Sequence, residues 1–357
     1  MQVNWLKYIL KFKFKVGTSR GILTDKTSYF VLIRSKHNKI GIGECSPLKG
    51  LSIDDRPDFE EYLTQVCTEM VHQTEPTLDN LRSFINQFIS TDWPSIKMGF
   101  ETAWRDFILK GDRVIFKNKF LTGDKIPING LIWMGDRQFM REQIKKRIKE
   151  GYSCLKMKIG AIDFQTELDL LKFIRDFSKD QQVTIRVDAN GAFSPDEAYR
   201  NLEKLAQLNI HSIEQPLKPG QWNHMGKLCK EANIPIALDE ELIGIHGHIE
   251  KKQLLESLKP QFIVLKPSLL GGFFETSEWI VLAEERKIGW WITSALESNI
   301  GLNAIAQFTL ENKILREQGL GTGQLYLNNF YSPLKVENGY ISYSRERSWN
   351  LAPLGIN

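Results

Sequence analysis

Short apolar runs recur between residues 155 and 268, and each run carries a charged side chain at or near its end. Each run has five to seven residues, the length of a β-strand, and is followed by a helix-compatible segment. The runs cover 155–160, 184–190, 212–216, 236–240 and 262–268. Their charged residues are 25 to 30 residues apart, about the length of one strand, one helix and two loops. This spacing predicts successive βα units, and a long series of such units closes into a barrel.

The chain before residue 125 has the pattern of a separate α+β domain. Residues 10–16 alternate between apolar and basic side chains, which is the period of a half-buried strand. Strands are also predicted at 29–33 and 40–44, helices at 59–74, 78–89 and 96–109, and loops at 17–26 and 45–52. The tail, 326–357, has strand and turn character, and we expect it to return to this first domain.

Further elements complete the predicted barrel. Residues 127–133 would form its first strand, 290–296 its seventh, and the glycine-rich segment 319–323 an eighth, degenerate position. Gly151 is placed to end a helix over 137–150. The sequence therefore predicts an α/β fold, a modified TIM barrel of the (β/α)7β type over 125–325. An α+β capping domain would be formed by 1–124 and joined by 326–357.

Composition narrows the function. The formal net charge of +4 is spread over the chain without a concentrated basic face, so no nucleic-acid partner is expected. No apolar run approaches the roughly 20 residues of a membrane span, and 1–16 lacks the apolar core of a signal peptide. The spacing of Cys45, Cys67, Cys154 and Cys229 fits neither a zinc site nor a disulfide framework. We therefore expect a mature chain in the reducing cytoplasm.

Three acids lie near the ends of consecutive predicted strands: Asp188, Glu214 and Asp239. In a βα barrel these ends meet at the face where active sites form. Three unpaired carboxylates there would repel one another, whereas a hard divalent cation such as Mg²⁺ prefers oxygen ligands. The alternative, open for any one acid, is that it caps the following helix or pairs with a nearby base.

Three lysines accompany these acids. Lys156 and Lys158 are two residues apart and share one face of their strand, while Lys266 ends the sixth strand, across the ring from the second. A lysine near a metal and a second lysine has a lowered pKa, as a general base near pH 7 requires. Ion pairing with the acids is an equally good interpretation. The set suits proton abstraction next to a carboxylate, with a metal stabilising the enediolate.

The order of these residues resembles the enolase superfamily, in its muconate-lactonizing-enzyme-like branch. The resemblance rests on Lys156-Met157-Lys158, Asp188-Ala189-Asn190, Glu214-Gln215-Pro216, Asp239-Glu240 and Lys266-Pro267-Ser268. Segments 43–48, 96–103, 129–131, 294–298 and 301–302 agree as well, so the resemblance covers nearly the whole chain.

This resemblance implies a role for each position. Asp188, Glu214 and Asp239 would bind Mg²⁺, with Mn²⁺ as a substitute. Lys158 would take the α-proton and protonate the departing hydroxyl, and Lys266 would stabilise the charge from the other face. Lys156, Asn190 and Ser294 would contact or support the substrate, a small carboxylate. The implied reaction is syn elimination of water from 2-succinyl-6-hydroxy-2,4-cyclohexadiene-1-carboxylate, which gives 2-succinylbenzoate for menaquinone biosynthesis.

Other activities of the branch remain open at this point. An N-acylamino acid racemase or a dipeptide epimerase would use the same two lysines, one on each face. A chain that resembles a dipeptide epimerase would carry an Asp-x-Asp motif near the eighth strand. In this chain that position is occupied by 319–323, which has no acid. A cycloisomerase and a metal-binding barrel without catalysis are further alternatives. The sequence does not predict an oligomeric state.

Overall fold

The N-terminal part of the protein is an antiparallel sheet packed against helices. In the computed structural model, which describes residues 1–18, 21–37, 39–179 and 182–356, the strand order is β1–β2–β3. The elements are β1 Gln2–Thr18, β2 Gly21–Arg34, β3 Ile40–Cys45, α1 Phe59–Met70, α2 Leu81–Phe88 and α3 Pro94–Ile108. Gly43 lets β3 lie directly on α3, because a Cβ at that position would be 1.8 Å from the carbonyl oxygen of Gly99.

The loop predicted at 17–26 is wrong over most of its length. Strand β1 continues to Thr18 and β2 begins at Gly21, with Val16 paired to Leu23 and Lys11 to Asp25. Pairing between two long strands overrides the weak strand preference of this polar segment, as tertiary context commonly does. The remaining positions of the predicted loop, residues 19 and 20, lie outside the described residues.

The predicted barrel is present, as a parallel sheet in the order β11–β10–β9–β8–β7–β6–β5. Its strands are β5 Gly130–Ile132, β6 Cys154–Lys158, β7 Thr184–Asp188, β8 Ser212–Glu214, β9 Ile236–Leu238, β10 Phe262–Leu265 and β11 Gly289–Ile292; a short β4, Ile126–Pro127, precedes them. Bridges from Ile128 to Gln318 and from Thr293 to Gly319 close the ring between β11 and β5. The degenerate eighth position is thereby confirmed.

Helices cover the outside of this sheet, and their ends follow from local sequence. They are α4 Arg137–Lys149, α5 Phe164–Phe177, α6 Pro195–Ala206, α7 Trp222–Glu231, α8 His248–Leu258, α9 Pro267–Leu270, α10 Phe273–Glu285 and α11 Asn299–Glu311. Helix α6 begins with a capping box between Ser194 and Glu197. Gly151 has a φ of 78° just beyond α4, the left-handed geometry predicted for it.

Alternation along the strands separates the core from the site. Leu155 and Met157 of β6 are fully buried in the largest apolar cluster, which lies between sheet and helices. Lys156 and Lys158, which alternate with them along the strand, line a cavity inside the barrel. The period-2 geometry of a strand thus places apolar and charged side chains on opposite faces, as predicted.

The C-terminal tail contacts both parts of the protein. Strands β12 Leu334–Glu337 and β13 Tyr340–Tyr343 extend the sheet edge formed by β4. Phe330 and Leu354 pack against Phe30, Leu32 and Ile42 of the N-terminal sheet, so the predicted return of the tail is confirmed. The exact boundaries of the capping domain and barrel stay a prediction.

Two further observations concern membrane-spanning helices and the cysteines. Across the described ranges, no helix is both long enough and apolar enough to cross a membrane. Cys45, Cys67, Cys154 and Cys229 are buried free thiols.

Candidate active site

The carboxyl ends of neighbouring barrel strands bring the predicted charged residues together. Lys158, Asp188 and Glu214 are the last residues of β6, β7 and β8, and they are paired in register across the sheet. Asp239 and Lys266 come directly after β9 and β10. Because these strands are consecutive in the sheet, the side chains converge at one mouth of the barrel.

Ion pairs connect the lysines to the carboxylates. The Nζ of Lys156 lies 2.9 Å from Oδ2 of Asp188 and 2.6 Å from Oε1 of Glu214. The Nζ of Lys158 lies 2.9 Å from the same Asp188 oxygen. Lys266 forms the equivalent pair with Asp239. The lysines therefore do form ion pairs with the acids, and these pairs do not exclude a catalytic role.

These contacts perturb the acidities in a definite direction. Burial opposes ionisation of Asp188, but Lys156 and Lys158 outweigh it and hold the pKa of this carboxyl well below its usual range. Burial and the negative charge of Asp188 raise the pKa of Glu214 well above normal. The ionised form of Glu214 is thus disfavoured in this arrangement.

The same interactions act on two of the lysines. Burial alone would lower the pKa of Lys156, but Asp188 and Glu214 outweigh it and raise this pKa. Burial is likewise outweighed at Lys266, chiefly by Asp239. The expectation of a lysine pKa lowered toward neutrality concerns a lysine beside a bound metal, and it stays a prediction.

Asn190 positions the amine of Lys158. The Nζ of Lys158 donates to Oδ1 of Asn190 at 2.6 Å, and Nδ2 of Asn190 donates to Oε1 of Glu240 at 2.8 Å. Asn190 has a φ of 44°, a left-handed conformation that asparagine tolerates better than most residues. Asn190 was predicted to support this site. In the structure its direct contact is with Lys158.

A cavity of about 380 Å³ lies above these charges. Lys156, Lys158 and Lys266 line its floor together with Asp188 and Asn190. Apolar side chains from distant segments form much of the remaining wall: Leu23, Leu48, Leu51, Leu131, Trp133, Leu296 and Leu325. The N-terminal segments 21–23 and 48–51 thus reach the barrel mouth, as predicted for a capping domain. Spacing in the sequence gave no signal for Trp133 or Leu325.

Ser294 lies in the cavity wall within a network of hydrogen bonds. Its Oγ donates to Oε2 of Glu297 at 2.6 Å and accepts from Oγ1 of Thr322 at 2.7 Å. Ser268 donates to the other oxygen of Glu297 at 2.5 Å. The network fixes the orientation of the Ser294 hydroxyl. Glu297 was not predicted as a site residue, because buried polar networks have no sequence period.

The donor set fits a divalent metal. Asp188, Glu214 and Asp239 offer buried carboxylate oxygens from consecutive strands, which is the hard oxygen chemistry that Mg²⁺ prefers. Oε2 of Glu214 is buried without a hydrogen-bond partner in the described part of the chain. Among the described residues, no three acidic, His or Cys side chains form a ready-made metal site. Lys156 lies between Asp188 and Glu214 and contacts both.

Other conspicuous residues lie outside the cavity wall. Trp290 packs in the cluster shared with the helices, whereas Trp291 packs inside the barrel with Ala237 and Val264. The two rings thus lie in different layers of the barrel. His248 is exposed and contacts Glu278, at 3.1 Å from Nδ1 to Oε1, away from the charged group.

Comparison with known proteins relates this site to a family. The family described as Enolase C-terminal domain-like matches residues 139–347. The chain belongs to the enolase superfamily. An o-succinylbenzoate synthase from Desulfotalea psychrophila is 44% identical over 368 residues, which cover 96% of this chain and 99% of that superfamily member.

The folds of superfamily members agree with this relation. The crystal structure of MenC from Desulfotalea psychrophila has a TM-score of 0.83 at 40% identity, covering 96% of this chain and 99% of that one. In sequence, a D-Ala-D/L-Ala epimerase from Cytophaga hutchinsonii is 26% identical, with 88% of this chain and 84% of the relative covered. The α/β barrel with a capping domain is therefore the fold of this chain.

Proposed function

We propose that this enzyme is an o-succinylbenzoate synthase, which removes water from 2-succinyl-6-hydroxy-2,4-cyclohexadiene-1-carboxylate to give 2-succinylbenzoate. The observation that carries the proposal is a single cavity in which Lys158 and Lys266 lie on strands across the ring from each other. A relative of that name, matched over nearly its whole length, supports the same activity. The product would serve menaquinone biosynthesis.

The shape and polarity of the cavity suit this substrate. A charged floor can hold the ring carboxylate, and the apolar wall around Trp133, Leu131 and Leu296 can cover the six-membered ring. Burial of a ring against such a wall gains about 25 cal/mol for each Å² of apolar surface removed from water. Ser294 and Thr322 lie farther along the wall, where we place the succinyl tail, and Lys156 steadies the carboxylate or tunes Lys158.

Lys158 performs both proton transfers in the proposed reaction. Its uncharged Nζ takes the proton from the carbon next to the carboxylate, and the C–O bond to the leaving hydroxyl breaks. The resulting ammonium returns a proton to the departing hydroxide, so water leaves from the same face. The hydrogen bond of 2.6 Å to Asn190 holds Nζ in place for both steps. Lys266 stabilises the developing negative charge from the opposite face.

A divalent cation completes the proposed chemistry. Asp188, Glu214 and Asp239 would hold Mg²⁺, with Mn²⁺ as a substitute. When bound, the cation supplies positive charge beside the substrate carboxylate and makes the α-proton easier to remove. The proposed partner is thus a small carboxylate rather than a nucleic acid, and a cytoplasmic location belongs to the same proposal.

An N-acylamino acid racemase or dipeptide epimerase is the second candidate, because two lysines on opposite faces can also exchange one proton. The wall at the eighth barrel position weighs against an epimerase. Gly319, Gly321 and Thr322 line the cavity there, and segment 319–323 carries no acid to hold a peptide ammonium. A binding barrel without catalysis is disfavoured because both lysines are present and their side chains are 12% exposed at the cavity.

The test is turnover of the hydroxycyclohexadiene carboxylate, followed by loss of the diene absorbance with Mg²⁺ and again with excess chelator. We expect rapid loss that requires the metal. A parallel assay follows racemisation of N-succinylamino acids by optical rotation. Metal-dependent racemisation without any dehydration would reject the synthase and support the racemase instead.

A further inference from the structure

A second cavity lies at the amino-terminal end of the barrel, opposite the candidate active site. Its volume is about 640 Å³, and its wall comes from the starts of the strands and from the segment after α11. Arg186, His211 and Arg316 line it, and the exposed Lys125 lies at its edge. Glu317 is the one acid among the described lining residues. The cavity therefore carries an excess of positive charge.

Arg186 is the buried part of this charge. Its side chain is 2% exposed and points inward from β7, two residues before Asp188. Its Nη1 donates to the carbonyl oxygen of Glu317 at 2.8 Å. Its Nε and Nη2 are buried and have no hydrogen-bond partner among the described residues. Buried donors without acceptors are costly, so this guanidinium is suited to an acceptor in the cavity.

Glu317 compensates Arg186 only in part. Its Oε2 lies 3.7 Å from Nη2 of Arg186, which is too far for a hydrogen bond. Its Oε1 accepts from Oγ of Ser153 at 2.9 Å instead. The two oxygens of Glu317 thus face different partners, and this single carboxylate lies near more than one guanidinium.

Arg316 is the second guanidinium of the cavity. Its Cζ lies 4.7 Å from the centre of the Phe262 ring, and its Nη1 is buried without a hydrogen-bond partner in the described ranges. Burial and the charge of Arg186 lower the pKa of Arg316, as expected for two guanidinium groups that share one small space.

His211 lines the same cavity as Arg186 and Arg316 and is a neutral polar side chain. Burial, together with Arg186 and Arg316, lowers its pKa to about 4, so the ring is uncharged near pH 7. Its ring stacks on Phe262 with 4.9 Å between the centres, and Nδ1 lies 2.9 Å from Oγ of Ser212. The cationic chemistry of the cavity therefore rests on the two arginines and Lys125.

We propose that this cavity binds a small oxyanion of the phosphate class. Tetrahedral phosphate oxygens accept charge-assisted hydrogen bonds from guanidinium groups, which present donors in a planar fork. Unused donors of Arg186 and Arg316 are what such an anion requires. Leu310, Ile314 and Leu315 continue the wall, so the anion can be free phosphate or the phosphate of a small organic ester.

The first test is calorimetric titration of inorganic phosphate into the Mg²⁺-loaded protein at constant ionic strength. We expect saturable binding that is weakened at least about tenfold by Arg316→Gln, since one lost charge-assisted contact is worth that factor. The matched control is Lys313→Gln, which removes the same charge from an exposed residue of the same segment outside the cavity wall. This control should bind within about twofold of the unaltered protein.

Equal weakening by both variants, unchanged binding in Arg316→Gln, or no saturable binding would each overturn the proposal. Phosphate should also raise the melting temperature of the unaltered protein more than that of Arg316→Gln. Tighter binding of glycerol phosphate than of inorganic phosphate would identify the ester as the source, and equal binding the free ion. Dehydration at the opposite end of the barrel should be unchanged in Arg316→Gln, so this test is independent of the proposed function.

Discussion

Replacing Lys158 by alanine isolates its chemical role, because its neighbours keep other partners. In the intact protein its Nζ lies 2.9 Å from Asp188 and 2.6 Å from Asn190. Without it, Asp188 still pairs with Lys156 at 2.9 Å, and Asn190 still donates to Glu240 at 2.8 Å. No buried carboxylate is left alone, so we expect the fold and the proposed metal ligands to persist.

The expected loss of activity is much larger than the loss of stability. A positioned acid or base contributes roughly 10² to 10⁴ in rate, and Lys158 is proposed to act twice. We therefore expect turnover to fall by at least about 10⁴, which is roughly 5.5 kcal/mol of transition-state stabilisation. The free energy of unfolding should change by less than about 2 kcal/mol, since Asp188 keeps its ion pair with Lys156.

Dehydration is assayed by diene absorbance, and stability by urea unfolding under the same conditions. Lys158→Arg is the control, because it keeps a positive charge near Asp188 but cannot release its proton near neutral pH. Both variants should be inactive and folded. Retention of more than a few per cent of activity in Lys158→Ala would refute the assignment of the base, and rescue by arginine would indicate a purely electrostatic role.

Three further outcomes follow from the structure. Excess chelator should abolish dehydration, and Mg²⁺ or Mn²⁺ should restore it, whereas restoration by neither ion would contradict the proposed ligands. Gly43→Ala should lower the free energy of unfolding by about 3 kcal/mol in urea titrations, because its Cβ would meet the backbone of Gly99. Burial raises the pKa of Glu167 from about 4.5 to about 7, so the folded protein binds a proton that the unfolded chain releases between these values. The free energy of unfolding should therefore fall as pH rises through this window, and Glu167→Gln should reduce that slope in urea titrations at several pH values.

The barrel could be predicted because its strands can be recognised one by one from their own local sequence. Strands β6 to β10 each have apolar outer residues that pack on helices and a charged residue at or directly after their end, as Leu155, Met157 and Lys158 illustrate on β6. The continuation of β1 and β2 into the predicted loop 17–26 escaped prediction for the opposite reason. Its residues near Leu23 have no strong period, and the strand exists because a long partner lies beside it.

The charged floor of the site was predictable, whereas its wall was not. Strand ends converge by the geometry of the barrel, so Asp188 and Glu214 could be grouped from spacing alone. Trp133 and Leu23 reach the same cavity from segments more than 100 residues apart in the sequence, through contacts that no local period encodes. The bond from Ser294 to Glu297 is similarly a product of the loop after β11.

The two interpretations of the lysines, ion pair and base, describe one electrostatic system in two charge states. Asp188 and Glu214 now raise the pKa of Lys156, and Asp239 raises that of Lys266, because each ammonium lies against a buried carboxylate. Positive charge added among these carboxylates would lower the same pKa values through the same interactions. Such charge would also stabilise the ionised form of Glu214, whose pKa is raised by burial and by Asp188. The spacing in the sequence could not choose between the interpretations, since both require the same residues in the same positions.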